Sequence, residues 1–403
     1  MSPSRLEVTQ DQEQDVQVPA GLVLVPEEKL DLRSDEEIIE QFQKKRPVTS
    51  EKNVWAFWHS GFNSMHPWLR RNVIGWVRRL GPEWNVHVLD DVRGSETNIR
   101  NYLAPEMLPE AINNYTADGK YKGVHTSDVV RLALVLTYGG VWLDVGTILL
   151  RHVDDICWKE IEDPSSPVEV GGYAFFGSAM NGFFAAKKDN PLLRQWHNAY
   201  LSLWEGGKTN CNGFHRHPIF DNIPKYVSKD PVFNSVDFKD FSAHITCGWV
   251  TRQIVDAETG FNGQDYWSNH VFLLDLLDEA MLLPHLTNNK GKYQFELLSA
   301  KRTGEGAVKD ELWHAAEDIV HKLLTSSAMM KISHGSEGMF EALANFWDKE
   351  EHADADHEPG TFAAYLRYGS VHYDQTRKLV PLSREAMARG VDWEKWTSYE
   401  FRK

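Results

Sequence analysis

Cysteine is scarce in this chain, with three among 403 residues. Cys157, Cys211 and Cys247 are odd in number and widely spaced, so they form neither a metal knuckle nor a redox pair. They read as thiols buried in a reducing compartment, not as a disulfide framework. Long hydrophobic runs are missing as well. The most apolar stretches, such as Val129 to Leu136, fall far short of the roughly 20 residues that cross a bilayer. The opening MSPSRLEVTQDQEQDVQVPA has no apolar segment of signal-peptide length. Together these absences predict a soluble cytosolic protein with no membrane span. Positive charge is in short supply too. The net charge is −15 and no Lys/Arg run forms a basic arm, which argues against nucleic acid or an anionic membrane as partner. Net charge says little about one cleft, so a local basic pocket for a diphosphate stays open. No internal repeat or low-complexity segment is visible.

What the chain has is apolar and aromatic mass. It is 42% hydrophobic and carries 15 tryptophans, enough for one large α/β domain with extensions, or for two domains. Residues 1–50 are polar and acidic, with a short amphipathic segment from Glu36 to Phe42, and read as an N-terminal extension. From residue 53 the pattern changes. NVWAFWHSG reads as a buried strand broken at Gly61, Pro67 to Leu80 as a helix, and WNVHVLDD as a second strand. A strand–helix–strand unit predicts a parallel sheet. Ser127 to Tyr138 reads as a helix capped by Thr126 or Ser127 and stopped by Gly139-Gly140, followed by the buried strand VWLDVGTILL. GGYAFFG and GFFAAKK read as strands, Pro191 to Trp204 and Leu312 to Leu324 as helices, and Tyr266 to Leu283 as one long apolar helix. MMKISHGS reads as a short late strand and turn, Glu350 to Glu358 as an exposed acidic loop, and the chain from Thr361 as helical, then irregular. The stretch 205–260 gives mixed signals. The body of the protein is placed at 51–345, with 346–403 as a C-terminal extension.

The chemistry concentrates in HTSDVVRLALVLTYGGVWLDVGTILL. Asp128 and Arg131 lie one helical turn apart, on one face. After the two glycines a buried strand delivers Asp144 at its carboxyl end, the edge where open α/β sheets bind ligands. A carboxylate there could hold a divalent cation that bridges a diphosphate. A lone Asp after a strand is ordinarily a turn residue. The ordered block of helix, glycine break and acid favours the functional reading.

This block resembles the SD-x-x-R…YGG-x-[YW]-x-D segment of GT-A glycosyltransferases, and most closely the capsular-polysaccharide-synthesis-protein group of bacteria and fungi, alongside family-32-type enzymes. WAFWHSGFNSMHPWLRRNVIGW, VHVLDD, Gly182 to Pro191, DYWSNHVFLLDLL and KISH are similar to that group in order, so the likeness covers about residues 53–340. It implies a GT-A fold with a mostly parallel central sheet flanked by helices and a smaller helical C-terminal part. It further implies transfer of a hexose from a nucleotide diphosphate sugar to an acceptor hydroxyl with retention, a UDP-sugar coming before a GDP-sugar. By the same resemblance Asp128 contacts the ribose or base, Arg131 supports that site or the diphosphate, and Asn181 faces the donor sugar. Asp265 lies beside the reacting centre, and His334 with Lys331 closes over the diphosphate or the metal. The metal, manganese or magnesium, would sit on Asp144 and His334. One departure from the family pattern stands out. Many GT-A enzymes have Asp-x-Asp, whereas this chain reads Asp144-Val145-Gly146 and lacks the second acid. That puts metal dependence in doubt and leaves a rival reading, a repurposed GT-A-fold protein acting on another ligand.

Other residues carry two readings each. Trp55 and Trp58 could stack on a base or pack in the core. Asp90 and Asp91 could touch a ribose or cap a turn, and Asp265 is also a natural helix cap. His215 and His217 flank Arg216 in the unresolved stretch, while His352 and His357 read as solvated. Nothing in the sequence identifies the acceptor.

Overall fold

A computed structural model of the chain describes residues 18–175, 178–223, 234–334 and 341–383. The first 17 residues of the N-terminal extension, the turn expected at Gly335-Ser336 and residues 384–403 lie outside the described residues. The strands are β1 (Leu22–Leu24), β2 (Asn53–Phe57), β3 (Asn85–Leu89), β4 (Gly140–Leu143), β5 (Thr147–Leu149), β6 (Val170–Phe175), β7 (Ser178–Ala186), β8 (Val255–Asp256), β9 (Phe261–Asn262), β10 (Val271–Asp275), β11 (Met329–Lys331) and β12 (Tyr373–Gln375). The helices are α1 (Asp35–Gln41), α2 (Pro67–Leu80), α3 (Glu110–Asn113), α4 (Lys122–Tyr138), α5 (Lys159–Glu162), α6 (Pro191–Ser202), α7 (Val236–Phe241) and α8 (Ala243–Thr251). They continue with α9 (Gly263–His270), α10 (Leu276–Glu279), α11 (Leu282–Leu286), α12 (Gly291–Ser299), α13 (Glu311–Ser326), α14 (Leu343–Trp347) and α15 (Phe362–His372).

The central sheet has six strands in the order β10-β6-β7-β4-β2-β3. Only β7 runs against the others. Side chains of a strand alternate between faces, and here the alternation divides two cores. Val54, Ala56, Val141, Leu143, Phe183 and Ala185 join one hydrophobic cluster with α2 and α13. Trp55, Phe57, Trp142, Phe184 and Ala186 join the other with α4 and α6. Strands buried on both faces read as continuous apolar runs, which is why they are visible in the sequence.

The structure corrects three expectations. The α4 helix begins at Lys122, so Thr126 and Ser127 are not its caps; the Thr126 hydroxyl instead donates to the Lys122 carbonyl inside the helix. Its stop is as expected. Gly139 and Gly140 both have positive φ, and a Cβ on Gly140 would sit 2.3 Å from the Asn53 carbonyl oxygen. The apolar stretch 266–283 is not one helix. It is the end of α9, then β10 paired in parallel with β6, then α10 and the start of α11. A short apolar run suits a buried strand as well as a buried helix, and periodicity does not separate them.

The third correction concerns one residue of the acidic segment 350–358, whose glutamates and Asp354 are exposed as expected. Asp356 there is buried at 1% exposure and paired with both Arg71 of α2 and Arg367 of α15. Arg79 donates to the carbonyls of Ser370 and Tyr373, and β1 pairs with β12. The described parts of both extensions are thus tied to α2 and to each other. Asp356→Ala leaves the enclosed Arg367 without its anion and Arg71 with only the exposed Asp354 at 3.6 Å, which is expected to cost about 3–5 kcal/mol. Urea unfolding of the variant measures it, and a loss below about 1 kcal/mol would put these ions in effectively aqueous surroundings.

Candidate active site

All parallel strands of the sheet end at one edge, and β7 begins there. Asp144 follows β4 at this edge, and its backbone N–H donates to the Gly182 carbonyl at 3.0 Å. Asn181, near the start of β7, is its neighbour across that pair of strands. Lys331 arrives from far along the chain because β11 pairs antiparallel with β5, setting Lys331 opposite Thr147. The pairing is held tightly at Gly146. Ile332 N–H donates to the Gly146 carbonyl at 2.7 Å, and a Cβ on Gly146 would meet the Ile332 carbonyl oxygen at 2.5 Å. No side chain fits at position 146 without displacing the backbone of the β11 segment.

The Asp144 carboxylate is about a quarter exposed and both of its oxygens are engaged. Lys331 Nζ donates to Oδ2 at 2.6 Å, and Trp142 Nε1 donates to Oδ1 at 2.9 Å. The Arg131 guanidinium stands 3.6 Å from Oδ1. Burial works to raise the carboxyl, but Lys331 and then Arg131 hold it below its ordinary range.

Behind this pair lies a second carboxylate, Asp128, which is 1% exposed. Its Oδ1 is 3.0 Å from Arg131 and accepts from the Asn181 side-chain amide at 3.0 Å. Its Oδ2 faces Nδ1 of His125 at 3.4 Å and Nδ1 of His244 at 3.2 Å. Arg131 also donates to the Asn181 carbonyl and to the Ser127 hydroxyl, and its guanidinium lies over the Trp142 ring. Despite its burial, Asp128 is drawn down to about 2 by His244, Arg131 and His125. His125, though burial pushes it down, is raised to about 9 by its bonds to Asp128 and Cys211. His244 is lowered to about 4 because its burial outweighs the attraction of Asp128. The two imidazoles face the same carboxylate oxygen, and His244 Nδ1 also lies 3.1 Å from the Phe241 carbonyl, to which it donates. His125, Asp128 and His244 also form a group that could hold a metal ion.

The remaining expected residues scatter. Trp55 is enclosed in the core, stacked on His87, with its indole N–H given to the Gly139 carbonyl, so it has no free face for a base. Trp58 is half-buried just beyond β2 at the site edge. Asp90 is buried and bound to Ser95, Thr97 and the Val92 N–H, while Asp91 pairs with Arg100; both organise their own loop. Asp265 is exposed in α9, whose Tyr266 bonds to Asn190 and Glu169 at the opposite edge of the sheet. The structure does not bring Asp265 to Asp144. His334 is half-exposed and bonds Asp348 at 2.6 Å, the same carboxylate that accepts from Trp68. His215 bonds Asp240 beside its own loop, and His352 bonds the Phe346 carbonyl.

A family model described as capsular polysaccharide synthesis protein matches residues 25–248. The chain is 48% identical to O-glycosyltransferase braB of Annulohypoxylon truncatum, over 91% of this chain and 90% of that protein. The chain belongs to the capsular polysaccharide synthesis protein family. It is also 39% identical to glycosyltransferase afumC of Aspergillus fumigatus (strain CBS 144.89 / FGSC A1163 / CEA10), over 89% and 94% of the two chains. To O-glycosyltransferase PaGT of Phomopsis amygdali it is 37% identical, over 93% and 95%.

For a member of this family, the residues expected to hold a divalent cation at the sheet edge do not fit one. Cation sites of this kind need several oxygen ligands. Here the carboxylate at the edge already holds an ammonium on one oxygen and an indole N–H on the other, a second acid is sterically barred at Gly146, and His334 Nε2 is held by Asp348. Sequence reasoning missed His125, His244, Trp142 and Ser127. His125 is one turn before Asp128 and Trp142 is two residues before Asp144 on the same strand face, so spacing alone could have found both. His244 lies in the stretch without a readable pattern.

The protonated His125 makes a prediction about pH. Its folded value of about 9 exceeds the roughly 6.5 of an unfolded imidazole. Its stabilising contribution is therefore complete below about 6.5 and is lost as pH rises through about 9. The gap in denaturant midpoint between wild type and His125→Gln should narrow over that window. A gap that stays constant with pH would mean His125 is neutral in the fold.

Proposed function

We propose that this chain is a glycosyltransferase that moves a hexose from a nucleotide diphosphate sugar to an acceptor hydroxyl, with a UDP-sugar as first candidate donor and a GDP-sugar as second. The observation that carries the reading is the Asp144–Lys331 pair, partly exposed at the carboxyl edge of the sheet and backed by Arg131 and Asn181. The names of the 35–48% identical relatives support glycosyl transfer, and the O-glycosyltransferases among them support a hydroxyl acceptor. Retention at the anomeric carbon follows from the family resemblance alone.

The chemistry of such a transfer is dominated by negative charge building on the departing diphosphate. Lys331 is a cation at this edge with partial exposure, and Arg131, enclosed behind it, adds positive potential without reaching solvent. Asn181 gives its amide N–H to Asp128, which leaves its side-chain oxygen as an acceptor for a sugar hydroxyl. Trp58, half-buried just beyond β2, is the aromatic surface proposed for the nucleoside.

Turnover of a panel of UDP- and GDP-sugars, followed as released nucleotide, tests the donor class. At least one donor should be hydrolysed slowly without acceptor and should raise the melting temperature. Asp144→Ala should lower that turnover roughly 100-fold while keeping the circular dichroism spectrum of the wild type. Undiminished turnover in this variant would remove Asp144 from the donor site.

A further inference from the structure

The geometry points to Lys331 as a built-in replacement for the divalent cation at the donor site: its ammonium, held on Asp144, takes the charge of the leaving diphosphate, and no metal ion binds at Asp144 while Lys331 is present. This inference rests on the donor reading above and adds to it the cofactor requirement.

Several observations converge on it. Lys331 Nζ sits 2.6 Å from Asp144 Oδ2, where an ion bound to that carboxylate would lie. The other oxygen is taken by Trp142. The position two residues on, where a second acid would complete an ion's ligands, is Gly146, and the Ile332 carbonyl fills the space a side chain would need. The same β5–β11 contact that bars the acid delivers the lysine, since Lys331 precedes Ile332 and its own N–H is fixed on the Ala280 carbonyl at 2.7 Å. A carboxylate relieved by an ammonium at hydrogen-bond distance, with a guanidinium 3.6 Å from its other oxygen, has little left to attract a dication. His334, the other expected ligand, is held by Asp348.

In the transfer step the bond between the anomeric carbon and the diphosphate oxygen breaks, its electron pair staying on that oxygen. A bond forms from the acceptor hydroxyl oxygen to the anomeric carbon, and the hydroxyl proton passes to the diphosphate. The charge that develops on the diphosphate oxygen is met by Lys331, with Arg131 behind.

The test uses the full chain with UDP, GDP, their sugars and manganese. Wild-type turnover should be unchanged by EDTA, and the electron paramagnetic resonance spectrum of manganese with UDP or GDP should be the same for the wild type and Asp144→Asn. Lys331→Ala should lose roughly 100-fold in EDTA, and manganese should restore part of the loss through a new site that disappears in Lys331→Ala/Asp144→Asn. Lys331→Arg should keep turnover that EDTA leaves untouched. An ion in the His125–Asp128–His244 group would appear equally in wild type and in these variants, so the difference spectrum isolates Asp144. Wild-type turnover that EDTA abolishes and manganese restores would overturn the role of Lys331 and leave the donor reading standing. Absence of binding and turnover with every nucleotide sugar, with or without manganese, would overturn the donor reading itself, and the Lys331 proposal with it. The two wild-type measurements decide the matter even if Lys331→Ala fails to fold.

Discussion

A carboxylate removed from water must be compensated where it stands, because an uncompensated charge in a protein interior costs several kcal/mol. Asp128 is such a group, and much of the site follows from it. Its compensation comes from four separate places: Arg131 one turn later, His125 one turn earlier, His244 from α8 and the Asn181 amide from β7. Each partner is fixed by the carboxylate and in turn fixes something else. Arg131 is set against Asp144, and Asn181 is set with its amide N–H on Asp128. Resemblance assigned Asp128 to the nucleoside; the fold buries its carboxylate behind Arg131 and Asn181.

The sheet and the central block were legible in the sequence for a physical reason. Strands covered on both faces are continuously apolar, and the glycines that end α4 occupy backbone that a Cβ would obstruct. Asp144 and its place at the sheet edge followed from that order alone. What stayed hidden was set by contacts between distant segments. The 266–283 stretch is apolar enough for a helix, and only its pairing with β6 makes part of it a strand. Trp55 and Trp58 are three residues apart with similar neighbours, yet one is sealed in the core by His87 and Gly139 and the other stands at the edge. Asp265 and Asp356 both look like exposed acids. The first is exposed at the opposite edge of the sheet, while the second is buried between two arginines.

The segments that flank the sheet do more than enclose it. Asp348, beside α14, accepts from Trp68 at the start of α2 and bonds His334 just after β11. The chain leaving Lys331 is thereby tied to the same helix that Arg367 and Asp356 tie to α15. A short strand such as β11 has little pairing of its own, and three residues in a two-stranded ladder are marginal in isolation. Its hold on Lys331 depends on contacts at both ends, Ala280 before and Asp348 after.

On the proposed function, this dependence bears on how charge is managed at the carboxyl edge of the sheet. A bound dication is mobile and is exchanged with the nucleotide; a lysine on a strand is permanent, carries one charge instead of two, and must be positioned by the fold. A single ammonium is the weaker electrostatic partner for a diphosphate, so its position has to be fixed in advance of the reaction for it to act well. The structure meets that condition by clamping Lys331 on Asp144, fixing its backbone on Ala280 and placing the following carbonyl against Gly146. Arg131 supplies the remaining positive potential from a buried position, where screening by solvent ions is weak. Exchanging Asp-x-Asp for Asp-Val-Gly is then not simply the loss of a ligand. The glycine is what lets the β11 segment approach closely enough to bring a cation of the chain's own to the carboxylate that remains.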